Sequence, residues 1–90
     1  MVVNLDEMKV YLRVDSGDED TLITQLLESA EKLCMDIVRG DEETLMKSKN
    51  CKMAILYTTA YFYEHREDAD YKQLMLTLRS LLFGDRRDGF

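Results

Sequence analysis

One stretch limits the fold more than any other: CKMAILYTTAYFYEHR, residues 51–66. At helical spacing, Cys51, Ala54, Ile55, Thr58, Tyr61, Phe62 and His65 line one side, while Met53, Leu56, Tyr57, Ala60 and Tyr63 cover much of the rest. A helix apolar nearly all round must be enclosed by other elements, or by other elements and a neighbouring subunit. Its polar atoms are chiefly tyrosine hydroxyls, which suit the edge between buried and wet surface. Thr58, Thr59 and Ala60 are small enough to admit another helix at mid-length. The rest of the chain has to supply the jacket.

The chain supplies it with more helices. There is no proline and there are only four glycines in 90 residues, so built-in breakers are few. A first helix starts at Asn4, whose side chain can accept from the amide three residues on while Glu7 reaches back, as in a capping box. Leu5, Met8 and Leu12 share its inner face, with Tyr11 beside them. DSGDED then turns the chain, and Asp18, Glu19 and Asp20 suit the start of the next helix. In that helix Leu22, Leu26, Ala30, Leu33 and Ile37 form one stripe, widened by Ile23, Leu27, Cys34 and Val38, with Glu28, Glu31 and Lys32 opposite. Arg39 suits its last turn, and Gly40 can close it in a left-handed conformation. Residues 41–50 allow two readings: one polar turn anchored by Leu45 or Met46 and then a linker, or the opening turns of the apolar helix. Tyr71, Leu74, Met75, Leu78, Leu81 and Leu82 define the last helix, ended by Gly84. The expectation is an all-α, single-domain bundle over 1–90 with main helices near 4–14, 19–38, 48–66 and 70–83, and a polar tail at 84–90.

Eighteen acidic against twelve basic residues give a net charge of −6. A nucleic-acid-binding face needs a basic footprint, which no segment provides. An acidic wall would instead let DNA slide past. Cys34 and Cys51 sit in apolar helical patterns and read as reduced core thiols. The opening MVVNLDEMK lacks the basic start and apolar run of a signal peptide, and no stretch approaches the roughly twenty apolar residues of a membrane span. A reducing cytoplasm is the expected place of synthesis.

Chemistry is not indicated. A metal site in a helical bundle needs several converging His, Glu or Cys ligands, and one histidine with two sequestered cysteines falls short. Counted from Asp15 as a calcium loop, Asp20 and Leu26 stand where glycine and glutamate are required. Cys51 and His65 would lie about 20 Å apart on one helix, too far for a nucleophilic pair. There is no phosphate-binding glycine loop and no nucleophile elbow. No catalytic residue, metal ligand or cofactor is assigned. His65 reads as a half-buried ring stacked on an aromatic side chain near a helix C-terminus. A helix-turn-helix reading of Lys72, Gln73, Thr77 and Arg79 is opposed by the acidic linker EDAD before them.

The order of elements resembles that of the gp6-like head-tail connector proteins of tailed bacteriophages and prophages. The likeness runs through Val10, Tyr11, Leu12, Arg13, Val14 and Asp15, then Asp20, Leu22, Ile23, Leu26, Leu27 and Ala30. It continues through Ala54, Ile55, Leu56, Tyr61, Tyr63, Arg66 and Glu67 to LMLTLRSLLF. The resemblance implies a structural, non-enzymatic virion protein whose subunits form a ring on the phage portal protein. Beneath the ring would sit a tail-side completion or stopper protein, and DNA would pass through without sequence-specific binding. It implies residence at the virion head-tail junction, after assembly in the host cytoplasm, with no membrane contact. Tyr57, Tyr61, Tyr63, Glu64, Arg66 and Glu67 are the expected subunit-contact residues, since the tyrosines cannot all face one core. Asp15, Asp18, Asp20, Arg86, Arg87 and Phe90 are the candidates for touching portal or DNA. The alternative is a small helical adaptor or regulator without a virion role, which the same helical pattern also fits.

Overall fold

The computed structural model describes residues 2–83. Every regular element among them is a helix: α1 (Leu5–Leu12), α2 (Asp20–Val38), α3 (Glu42–Met46), α4 (Cys51–Glu64) and α5 (Tyr71–Phe83). The all-α expectation stands, with four longer helices and one short one. Residues 41–50 take the first of their two readings. α3 is a separate five-residue helix, with Leu45 fully buried and Met46 exposed. The apolar helix is therefore shorter than 48–66, beginning at Cys51 and ending at Glu64.

α4 is the centre of the bundle. It packs on α2 along most of its length, with α5 and α1 on its flanks and α3 near its start. It runs antiparallel to α5: Phe62 meets Tyr71 at one end, and at the other Asn50 and Ser48 donate to the carbonyls of Leu81 and Leu82. Ala54, Ile55, Thr58 and Thr59 are fully buried. The two threonines can be buried because each hydroxyl donates to the carbonyl four residues back, Ala54 at 2.7 Å and Ile55 at 2.8 Å. The small mid-section thus gives close approach without orphaned polar atoms. Leu74, Leu78 and Leu82 complete the core from α5, as their spacing predicts.

The capping box at Asn4 forms as read: Glu7 N–H donates to Asn4 Oδ1 at 2.8 Å, and Asn4 N–H to Glu7 Oε1 at 3.1 Å. Four other local expectations change. The buried line of α2 is Ile23, Leu27, Ala30 and Cys34, while Leu22, Leu26, Leu33 and Ile37 flank it half-buried. Glu31, expected opposite the core, is buried; the N-terminal segment crosses it, with Val3 in the core and Val2 N–H donating 2.7 Å to Glu31 Oε2. Glu19 occupies the cap position of α2 but makes no side-chain cap, because its carboxylate is taken by residues of α4.

The fourth change is at the end of α2. Arg39, not Gly40, adopts the left-handed conformation, at φ 58°, ψ 49°. Arg39 N–H bonds Asp36 O at 3.2 Å and Gly40 N–H bonds Met35 O at 3.1 Å, so carbonyls of the last turn are satisfied. Arg13 does the same after α1, at φ 62°, ψ 43°. A side chain in this region costs about 1–2 kcal/mol, which these closing bonds offset. Gly40 serves space instead. A Cβ there would lie 2.5 Å from Thr44 Cβ and 2.6 Å from its Cγ2 and Oγ1.

Candidate functional site

The end of the bundle where α4 stops gathers most of the residues singled out in the sequence. Tyr61 turns its ring onto His65, with centroids 4.4 Å apart, and Tyr57 follows at 6.4 Å from Tyr61. The Tyr61 hydroxyl accepts from Asp70 N–H at 2.6 Å and donates to Asp70 O at 3.4 Å, clasping the linker before α5. His65 caps α4 through its own N–H to Tyr61 O at 2.9 Å, and its Nδ1 lies 3.5 Å from Asp68 Oδ1. This is the half-buried, stacked histidine that its position predicts.

Tyr63 and Arg66 reach the other way, to α2. The Tyr63 hydroxyl donates to Glu19 Oε1. Arg66 Nη2 lies 3.5 Å from Glu19 Oε2, its guanidinium carbon stands 5.1 Å from the Tyr63 ring centroid, and its Nε donates to Tyr63 O at 3.2 Å. The bond to Glu19 stabilises the neutral phenol and pushes its pKa up; desolvation and the charge of Glu19 act in the same direction, and Arg66 opposes them. The structure thus brings together Tyr61, Tyr63, Arg66 and His65 and adds Glu19, a partner that no sequence pattern signals. Glu64 and Glu67 point to solvent beside them.

Around this end lie two hollows that share Arg66. One, of about 300 Å³, is lined by Leu26, Ser29, Phe62, His65, Arg66, Ala69 and Tyr71. The other, of about 530 Å³, is lined by Tyr63, Glu64, Arg66, Glu67 and Asp68. The first is walled by apolar groups, and Tyr71 on its lip is 60% exposed. Sequence periodicity gives Leu26, Phe62 and Tyr71 each an inward position; it does not show that the linker bends away and leaves a gap between them.

Asp15 and Asp18 are exposed on the α1–α2 turn at the same end. Asp20 is engaged: Lys9 Nζ stands 2.7 Å from its Oδ1, an ion pair without the alignment of a hydrogen bond. Arg86, Arg87 and Phe90 lie outside the described residues.

At the opposite end, Lys52 Nζ pairs with Glu7 Oε2 at 2.6 Å, and this contact with the Asn4 amide holds the Glu7 carboxyl below its ordinary pKa. Asp41 caps α3 through Thr44 N–H and Oγ1, each at 3.0 Å, which lowers its pKa too. Cys34 and Cys51 are free thiols in the interior, and burial raises the Cys34 pKa to about 11. Among the described residues no three His, Cys, Asp or Glu side chains converge as metal ligands, and no helix is long and apolar enough to cross a membrane. Several large apolar side chains remain on the outside, among them Val10 on α1, Met46 on α3, Met53 on α4 and Leu76 on α5.

A family model described as phage gp6-like head-tail connector protein matches residues 2–83. No curated protein and no solved structure matches the chain.

Proposed function

The chain belongs to the phage gp6-like head-tail connector family, and from that premise we propose that its copies close into a ring on the portal protein. In this reading a tail-side completion or stopper protein docks on the ring, and the genome passes through it. The membership itself assigns the head-tail connector role and a structural, non-enzymatic one. The observation that carries the proposal is the extent of the match, which spans every described residue.

Two features of the molecule support the finer reading. Val10, Met53 and Leu76 are exposed on three different helices, more apolar surface than one small core absorbs. A net charge of −6 per subunit, multiplied round a ring, gives a wall that repels phosphate and lets DNA move. Asp15, Asp18 and Asp20 are contributors to that field. Subunit contacts use the tyrosine end: Tyr57, Tyr61 and Tyr63 with Glu64, Arg66 and Glu67 at the edge. The charged residues have the smaller part, since exposed pairs contribute only ~0.2–1 kcal/mol each. The working location is the head-tail junction of the virion, reached after assembly in the host cytoplasm.

Electron microscopy of the protein mixed with its cognate portal tests this. An added ring at the narrow end of the portal is expected. Its absence, with both proteins folded, would return the chain to a connector that acts by some other contact. A duplex-binding titration provides the DNA arm: weak, sequence-independent retardation is expected, and tight binding to one short sequence would sink that part.

A further inference from the structure

The subunit carries opposite charge on opposite faces. α1 and α5 each pack on both α2 and α4 but not on one another, so they flank that pair from opposite sides. The side chains of α2 agree: Glu31 meets Val2 of the N-terminal segment, while Leu26 and Ser29, turned away from it, line the cleft with Tyr71. On α1, Asp6 and Val10 lie one turn apart and opposite the buried Met8, and Val10 is 78% exposed. Tyr11, Asp15 and Asp18 are exposed beside them. Glu7 and Lys9 are already paired with Lys52 and Asp20. Among the described residues of α1 and its following turn, three exposed carboxylates therefore stand against the single cation Arg13, a charge of −2. α5 is the reverse, the one described helix without a carboxylate side chain. Lys72, Leu76 and Arg79 follow one another at helical spacing opposite the buried Leu74 and Leu78, and Leu76 is 55% exposed. Arg79 and Met75 also border a hollow of about 620 Å³ towards α2, where Asp36 offsets Arg39. This face carries the two cations of α5 and a charge of +2.

We propose that the α5 face of one copy receives the α1 face of a second copy, with Val10 and Tyr11 on Leu76 and Met75 and the surrounding aspartates on Lys72 and Arg79. Neither face suits itself: α5 against α5, or α1 against α1, sets like charges together, which disfavours a two-fold pair. Complementary faces on opposite sides of one molecule make a head-to-tail contact that propagates until it closes. DNA is the poorer occupant of α5, because two cations flanking an exposed leucine fall short of the basic footprint that phosphate needs. The contact pairs charges already counted in each subunit, so the net −6 is unchanged. The inference rests on the proposed ring, to which it assigns the two faces that meet. The tyrosine end, where α5 begins and Glu19 of the α1–α2 connection meets Tyr63, borders both.

Two variants of the full chain each reverse one face: Asp15→Lys with Asp18→Lys, and Lys72→Glu with Arg79→Glu. All four positions are exposed, so helix content and melting should be nearly unchanged. Association is followed by sedimentation over a concentration series. Each variant alone should associate about tenfold or more weakly than wild type, because its own two faces now repel. Mixed in equal amounts, the two should recover association. Each reversed face then meets the other variant's reversed face with the charges exchanged, and each native face meets a native one. Added salt should weaken wild-type association, since the pairs are near the surface. Leu76→Ser should weaken it without any change of charge.

Variants that associate as wild type does, or a mixture that recovers nothing, overturn the proposal. So does a wild-type chain that stays monomeric at its highest soluble concentration. Loss of duplex retardation in the Lys72→Glu, Arg79→Glu variant with association intact would assign the α5 face to DNA instead. Recovery in the mixture without a ring in the portal micrographs would leave this contact standing and remove the portal ring. A portal ring formed as well by either variant alone as by wild type would do the reverse.

Discussion

Replacing Gly40 by alanine separates two accounts of why glycine stands there. If the position needed only a helix-terminating glycine in open space, its backbone, which does not have positive φ, would accept alanine. The gain from a less flexible unfolded chain would then be about 0.4–1 kcal/mol. The structure requires the opposite sign. The new methyl carbon would sit 2.5 Å from Thr44 Cβ. An ordinary carbon contact is about 3.5–4.0 Å, so roughly 1 Å of movement is needed. The obstructing atom is bonded directly to the backbone of α3, so no rotamer change clears it. Either α3 or the end of α2 must shift, which loosens Leu45 in the core and the Asp41 cap. Overpacking of this kind costs about 1–3 kcal/mol. In a domain of this size that lowers the melting temperature by about 4–8 °C per kcal/mol. Thermal unfolding followed by circular dichroism gives the number directly. Thr44→Gly costs stability alone but removes the obstructing Cβ, so the double variant should lose less than the sum of the two single losses, a coupling that independent sites do not show. A Gly40→Ala protein as stable as wild type, or additive behaviour in the double variant, would refute the steric reading.

Other outcomes follow from the same geometry. Arg39→Gly relieves a side chain held at positive φ and should be neutral or stabilising by up to about 1 kcal/mol in chemical denaturation, the offset being glycine's greater unfolded entropy. Tyr63→Phe loses its bond to Glu19 and should lower stability modestly in chemical denaturation. The wild-type Tyr63 pKa is raised, so the contribution of this bond is present below the ordinary tyrosine pKa and disappears as pH rises through the shifted value. The stability gap between wild type and Tyr63→Phe should therefore narrow in alkaline buffer. Glu7 and Asp41 behave inversely: their pKa values are lowered, so their contributions hold above the ordinary carboxylate range and are lost as acid titrates through the folded values. Glu7→Gln should flatten the acid limb of the stability curve. Tyr63→Glu should weaken subunit association more than it lowers helicity, read by light scattering over a concentration series with and without portal. Because it sets a second carboxylate against Glu19, Tyr63→Phe is its necessary control.

The fold was legible wherever the information is local. Asn4 and Glu7 announce a capping box that needs only three intervening bonds to form, and the leucines of α5 fall inside as their period demands. What could not be read depends on segments far apart in the chain. Glu31 looks like a solvent residue until Val2 and Val3 are laid across it, and Glu19 looks like a cap until Tyr63 and Arg66 arrive from α4. Sequence pattern alone points to Gly40 for the left-handed turn because glycine is its usual occupant, whereas the turn falls on Arg39 and the space beside Thr44 is what needs the glycine. The tyrosine end was visible as an aromatic, charged cluster, but its cleft comes from the bend of residues 65–70, which no periodicity records.

The antiparallel path of the helices has a consequence for time. α1 lies on α2, α2 meets α4 across the short α3, and α5 folds back on α4, so the chain repeatedly packs against what it has just left. Topologies dominated by such nearby pairings complete folding in microseconds to milliseconds. With no proline in the sequence, no prolyl isomerisation can delay a fraction of the molecules for tens of seconds. The two thiols are free and buried, which removes disulfide shuffling as a second source of delay. Any phase lasting seconds or longer after dilution from denaturant should therefore depend on protein concentration. In the proposed ring, folding of the subunit would precede its assembly, and a stopped-flow trace can time the two steps separately.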